Sequence, residues 1–350
     1  MPATERVDLV LLGFGGVAKR FVELLEARRA RLPFATRVIG VATARHGCAL
    51  SPAGLDAPAA ARGKAVAACH DAACGRPPRD AFELLARAAA AGAEAGAGRR
   101  LVVVENTPYG AADGRPGVDH VRAALDAGAD VVTANKGPAA FAWPELRDRA
   151  AAAGARFRFE GAVLDGLPVF SLVRDTLPGV AVRAFRGIVN TTTNHVLSAI
   201  DRGRTLDEAV AEMQAAGIAE ADASHDVDGW DAAAKTAILA NVLLDADMTP
   251  HDVSRTGLRT VDPAAARAAR AAGRAVKLVA SAGRRNGSVT AAVRPVELPG
   301  HDPLARLDDT AKGLSLDTDL LGTIQITKSA SGPDHTAYAL LADLVSLHRP

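Results

Sequence analysis

At about 150 residues per domain, a chain of 350 residues predicts two domains, each long enough to bury a core of its own. Apolar residues make up 49% and charged residues 23%, a globular balance that excludes a disordered chain. The 41 basic and 40 acidic side chains leave a net charge of +1, which argues against nucleic acid or an anionic membrane as partner. In chain order, Val7 to Leu12 is an apolar run broken only by Asp8. It ends in Gly13-Phe14-Gly15-Gly16-Val17-Ala18, and apolar residues then recur at helical spacing to about Arg31. That predicts strand, tight turn and helix. A second buried strand, Val38 to Ala42, completes a β-α-β unit. Alternation continues with a helix near Ala81 to Ala91, a strand Leu101 to Val104, a helix Val118 to Ala127 and a strand Asp130 to Ala134, the pattern of a doubly wound parallel sheet.

After Gly137 the pattern becomes α+β. A strand near Arg156 to Phe159 leads to helices near Leu167 to Thr176, Asn194 to Arg202, Leu206 to Ala216 and Trp230 to Leu244. Ala275 to Ala282 and Ser288 to Leu298 flank Asn286-Gly287, which predicts a hairpin because that turn needs positive φ at both central residues. A strand Gly322 to Thr327 and a helix His335 to Leu347 close the chain. The expected fold is α/β: a Rossmann-type domain over 1–138, completed by 310–350, and an α+β catalytic and dimerisation domain over 139–309. No apolar run reaches the roughly 18 residues of a membrane span. The three cysteines, Cys48, Cys69 and Cys74, have no metal-ligand spacing, and the N-terminus is unlike a secretion signal; the expected place is the cytoplasm.

Chemistry gathers at a few points. In the glycine turn, Gly13 permits a tight bend, Gly15 lets backbone approach a pyrophosphate, and Ala18 allows close helix–strand packing; the helix start supplies oriented N–H groups. Where an NAD site would carry Asp or Glu after the second strand, the sequence has Thr43, then Arg45 and His46. Arg45 can pair with a 2′-phosphate, which favours NADP, or it is a solvated loop arginine. Lys136, in Thr133-Ala134-Asn135-Lys136-Gly137-Pro138, follows a strand at the carboxyl edge of the sheet, where ligands bind in open parallel sheets. Only seven of the 41 basic residues are lysines, so each draws notice. A carboxylate cluster runs through Glu220, Asp222, Asp226, Asp228 and Asp231 to Lys235. Asp231 and Lys235 share a helix face, either as an exposed ion pair or as part of a substrate site. The glycine and glutamate of an EF-hand calcium loop are missing there.

Four separated segments resemble homoserine dehydrogenases: Gly13 to Ala18, Thr133 to Lys136, Gly187-Ile188-Val189-Asn190-Thr191-Thr192-Thr193-Asn194, and Glu220-Ala221-Asp222 running on to Asp226-Val227-Asp228-Gly229-Trp230-Asp231-Ala232-Ala233-Ala234-Lys235. The resemblance implies oxidation of L-homoserine to L-aspartate 4-semialdehyde, or the reverse, with NAD or NADP, in the threonine and methionine branch of amino-acid biosynthesis. It implies that Lys235 and Lys136 serve proton transfer. Glu220, Asp231, Asp226 and Thr192 would meet the amino acid. The cofactor would lie against Gly13, Phe14, Gly15, Gly16, Val17, Ala18, Arg45, Thr107, Asn135, Gly217 and Gly332. A sodium-type cation is implied at Glu160 and the carbonyls of Val163, Asp165 and Leu167, although Leu164-Asp165 departs from the glycine-rich family sequence. Thr191 and His195 also depart, where glycine and tyrosine are usual. A homodimer is implied, in a short form without the amino-acid-sensing module of longer relatives. The rival expectations are a relative acting on another short amino alcohol and a non-catalytic cofactor-binding regulator.

Overall fold

The computed structural model describes residues 6–94, 99–215 and 223–348, and the chain divides into two compact units, 1–162 with 333–350 and 163–332. In the first unit, β1 (Arg6–Leu12) is followed by α1 (Gly16–Arg28), β2 (Ala35–Thr43), β3 (Gly47–Leu50), α2 (Ala57–Ala61), α3 (Ala81–Glu94) and β4 (Arg99–Glu105). Then come α4 (Gly117–Asp126), β5 (Asp130–Thr133), α5 (Lys136–Phe141), α6 (Trp143–Ala152) and β6 (Phe157–Arg158). Among the described residues these strands form a six-stranded sheet of order β3-β2-β1-β4-β5-β6, parallel throughout except for β3, which returns antiparallel to β2. Val7 and Leu9 to Leu12 are fully buried, as a strand covered on both faces requires. Asp8 is tolerated inside β1 because Arg37 of β2 pairs with it at 2.8 Å. The C-terminal helix, Pro333–Ser346, closes this unit: Ala337, Leu340, Leu341 and Leu344 share a core with Leu9, Leu11, Phe21 and Val104.

The second unit contains α7 (Phe170–Thr176), β7 (Val182–Ile188), α8 (Thr191–Asp201), α9 (Leu206–Ala215), α10 (Ser224–Val227), α11 (Trp230–Leu243), β8 (Ser254–Arg255), α12 (Pro263–Ala271), β9 (Arg274–Arg285), β10 (Ser288–Pro299), β11 (Lys312–Thr318) and β12 (Thr323–Lys328). Its sheet runs β12-β11-β7-β9-β10-β8, antiparallel at every pairing but the short β8–β10 one. The Asn286-Gly287 turn takes φ of +49° and +84°, the left-handed pair that a tight β9–β10 hairpin needs. Helices α8, α11 and α12 pack on this sheet.

The division differs from the expected one at both boundaries. Residues 139–162 stay with the parallel sheet, because β6 hydrogen-bonds along β5 from Val131 to Val132. Residues 310–332 leave it, because β11 pairs with β7 from Gly313–Ile188 onward and buries Leu314 and Leu316 in the second unit. Only 333–350 returns to the first.

Candidate active site

In the parallel sheet the strand order reverses on either side of β1, between β2 and β4, and ligands bind outside the carboxyl ends of strands at such a point. The glycine turn sits there. Gly13 has φ +84°, and a Cβ on it would lie 2.5 Å from the Asn106 carbonyl oxygen that follows β4. Its own N–H donates to the Ala42 carbonyl at 2.9 Å. Gly15 caps α1 without a side-chain hydrogen bond. A Cβ on Gly15 or Gly16 would meet nothing of the chain within 4 Å, so the room above the helix start is left for a ligand. That is a fit for a dinucleotide's phosphates, which accept from N–H groups at a helix N-terminus. Phe14 and Val17 pack against the core instead, and Ala18 is 1% exposed beneath the turn. Thr43 is drawn into the β2–β3 hairpin, donating from Oγ1 to the Gly47 carbonyl at 3.0 Å while accepting from His46 N at 2.8 Å; Arg45 is exposed at the tip.

At the carboxyl ends of β4 and β5, sequence reasoning gave Glu105 no role. It is fully buried and accepts from Thr107 N at 2.9 Å, from the Thr107 hydroxyl and from Thr133 Oγ1 at 3.1 Å. Asn135 then donates from Nδ2 to the Thr107 carbonyl at 3.1 Å and caps α5 by accepting from Gly137 N at 2.9 Å. Lys136 is therefore the first residue of a capped helix, half-buried, with Nζ 5.0 Å from the centre of the Tyr109 ring. The signal for this network was the Thr-Ala-Asn-Lys string itself, whose short polar side chains turn back onto backbone.

In the second unit four of the sequence-predicted residues meet. Lys235, one turn into α11 and 8% exposed, donates to Asp231 at 2.8 Å and to the Val189 carbonyl at 3.1 Å. Asn190 caps α8 by accepting from Thr193 N at 2.8 Å. Its amide nitrogen donates to Asp226 and to Asp231, both at 2.7 Å, and so bridges the two carboxylates. Burial pushes the Asp226 carboxyl up, and Asp231 beside it adds to the rise, against the hydrogen bonds from Asn190 and Thr192. Thr192 is thereby on the same cluster. Asp228 turns aside to Arg259 at 2.8 Å, and His195 faces Glu212 and Asp309 at 3.6 Å each. Glu220, Asp222 and Gly217 lie outside the described residues. Gly332 lies at the end of the second unit, where a Cβ would meet nothing within 4 Å.

Two lysines that sequence reasoning passed over complete the cluster. Lys312, 2% exposed, pairs with the Asp165 carboxylate, and Lys328 Nζ donates to the Asp165 carbonyl at 2.8 Å. Burial and the Lys235 charge push Lys312 down to about 8. Burial raises the Asp165 carboxyl, but Lys312, Lys235 and Lys328 outweigh it and hold the group below its usual range.

The expected cation site does not fit this arrangement. The Asp165 carbonyl is already an ammonium's acceptor, and a further cation about 4 Å from either lysine would meet repulsion of about 4 kcal/mol at an effective dielectric of 20. Glu160 and Val163 are buried, Leu167 is half-buried, and Glu160 N donates to Asp343 at 2.8 Å. Among the described residues no group of three His, Cys, Asp or Glu side chains can hold a metal ion.

Family models decide the affiliation: one described as the homoserine dehydrogenase NAD binding domain matches residues 13–160, and one described as homoserine dehydrogenase matches 168–345. The chain belongs to the homoserine dehydrogenase family. It is 35% identical to an NAD(+)-dependent homoserine dehydrogenase of Pseudomonas canavaninivorans, over 97% of this chain and 96% of that one. It is 34% identical to a homoserine dehydrogenase of Methanocaldococcus jannaschii, over 71% and 72%. The crystal structure of homoserine dehydrogenase from Thermoplasma acidophilum superposes with a TM-score of 0.79 at 28% identity, covering 98% of this chain and 99% of that one. As a homoserine dehydrogenase family member the chain is an oxidoreductase with an NAD-binding domain of Rossmann type.

Proposed function

We propose that this homoserine dehydrogenase family member interconverts L-homoserine and L-aspartate 4-semialdehyde, within the threonine and methionine branch of amino-acid biosynthesis. The observation that carries the reading is the Asn190 bridge between Asp226 and Asp231 with Lys235 on the same Asp231 oxygen. Two carboxylates fit the ammonium of a zwitterionic substrate, and the family resemblance assigns Glu220 to the same amino acid. The Lys235 ammonium donates to Asp231 and to the Val189 carbonyl. In the reducing direction that ammonium hands a proton to the alkoxide oxygen; in the oxidising direction the same amine takes it back. A bound nicotinamide supplies the hydride exchange. Lys136 is the second lysine assigned to the proton path, and the backbone of Thr192 is assigned to the substrate.

For the cofactor, Thr43 and exposed Arg45 stand where an acidic residue would reject a 2′-phosphate, which supports use of NADP. The NAD(+) dependence in the Pseudomonas relative's name supports NAD as the competing choice. A homodimer is part of the same proposal. The second sheet carries an open trough lined by five arginines, Arg183, Arg186, Arg284, Arg285 and Arg294, as well as by small residues such as Ser281, so a second copy laid over it must also meet those charges. A cytoplasmic place is part of the same proposal; no helix among the described residues is long and apolar enough to cross a membrane. The test is oxidation of homoserine and of a panel of short amino alcohols, each with NAD+ and NADP+ in parallel. Preference for homoserine is expected, with NADP+ at least matching NAD+. Turnover of another amino alcohol without homoserine would move the substrate assignment, and no turnover of any would leave a cofactor-binding regulator.

A further inference from the structure

Lys312 and Lys328 are register partners on the antiparallel β11–β12 ladder, Lys312 opening one strand and Lys328 ending the other. Like charges directly opposite on a sheet repel. The pair is accommodated because both ammonium groups reach Asp165, Lys312 at the carboxylate and Lys328 at the carbonyl. Asp165 presents both groups through an unusual local backbone: it has φ +49° and is followed by Gly166 at +79°, two left-handed residues in a row. Aspartate enters that region more readily than most side chains. Lys312 is 2% exposed, so its charge is committed to this contact and not to solvent.

We infer that the Lys312–Lys328 pair is a tethered cation site: two covalently held ammonium groups do at Asp165 what a free monovalent metal ion would otherwise do, so this chain needs no such ion there. The carbonyl is a hard oxygen ligand of the sort that suits sodium or potassium, and an ammonium donor meets the same lone pairs. The tether places the charge once, at folding, where a free ion would have to be held from solution at each encounter. The ammonium charge then persists whatever the salt, and Lys235, which shares an electrostatic field with Lys312 and Asp165, stays in a fixed environment.

The experiment compares thermal midpoint and turnover in sodium chloride with choline chloride at constant ionic strength, for the full-length wild type and for Lys328→Met. Wild-type curves in the two salts are expected to superimpose. Lys328→Met is expected to melt about 2–6 °C lower in choline and to recover saturably on adding sodium or potassium. A saturable, sodium-specific rise of the wild-type midpoint would overturn the inference. So would a Lys328→Met protein that melts with the wild type, or one that no monovalent ion restores. If that variant does not fold, the wild-type comparison still decides. The melting readout needs neither homoserine nor cofactor, so its failure is separate from a failure of the proposed activity.

Discussion

In the first unit the groups aimed at a ligand are backbone N–H groups over a glycine bend, and the one lysine of note, Lys136, is set by a capped helix start. In the second unit whole charges are buried: Lys235, Lys277 and Lys312 are 8%, 0% and 2% exposed, and each is met by a carboxylate. A site made of backbone tolerates changes of side chain but not an added Cβ. A site made of buried charges is indifferent to backbone freedom and fails when one partner is removed, because the other is left uncompensated. The two halves should therefore break under different substitutions.

The sharpest break belongs to the second unit. Lys235→Met keeps the side-chain length but removes the proposed proton carrier, and turnover should fall about 10²–10⁴-fold while cofactor affinity, measured by fluorescence titration, is unchanged. A parallel loss of cofactor binding would mean that the two units are not separable in this way. The counterpart in the first unit is Gly13→Ala. Its φ of +84° and the Asn106 carbonyl at 2.5 Å from the new Cβ leave no strain-free solution. A loss of about 3 kcal/mol or more is expected in urea unfolding, together with weakened cofactor binding. Gly15→Ala, at a position with open space, should spare stability and weaken only the cofactor.

The same contrast explains what could be read from sequence. β1, its glycine turn, α1, α4, β5 and the β9–β10 hairpin were legible, because each is specified locally by an apolar run or a turn dipeptide. β3, β7 and β11 were not. β11 holds the near-continuous apolar and polar string Lys312-Gly313-Leu314-Ser315-Leu316, and its pairing with β7 joins residues more than a hundred positions apart. The expected 138/139 and 309/310 boundaries missed the observed ones for that reason. At the site, Asp231 and Lys235 could be placed on one helix face from their spacing of four. That Asn190 would bridge Asp226 and Asp231 could not, since the contact spans 36 and 41 residues. Lys312 and Lys328 look like ordinary surface lysines until the ladder sets them opposite each other. Glu105, at the end of an apolar strand, likewise shows its role only when Thr107 and Thr133 converge on it.

A further test asks whether buried charge in the second unit is structural. Lys277 donates to Asn194 Oδ1 at 3.2 Å, to the Leu307 carbonyl at 2.6 Å and to Asp308 at 3.0 Å, tying β9 to α8 and to the chain before β11. Lys277→Met leaves the Asn194 oxygen without that donor in a buried place. It should cost about 1–3 kcal/mol in urea unfolding, with homoserine KM unchanged. An unaltered midpoint would show that burial of the ammonium offsets its hydrogen bonds.

The smallest effect belongs to the surface of the first unit. Arg122 of α4 donates to Glu145 of α6 from Nε at 2.7 Å and from Nη2 at 2.8 Å, and this pushes the carboxyl down to about 2. A carboxyl whose folded value lies below the unfolded one of about 4.3 contributes stability that is complete above that pH. The contribution is lost as the pH falls from about 4 toward 2. Both side chains are partly exposed, at 30% and 44%, so solvent screening limits the pair to under about 1 kcal/mol. Glu145→Gln should lower the thermal midpoint slightly at neutral pH and not at all near pH 2, so that the two melting profiles converge on acidification. If they stay parallel, the helix contact is held by packing and the charge is idle. The charges that matter in the first unit would then be its buried ones, Asp8 with Arg37 and Glu105 with Thr107 and Thr133, and the surface pairs would contribute nothing.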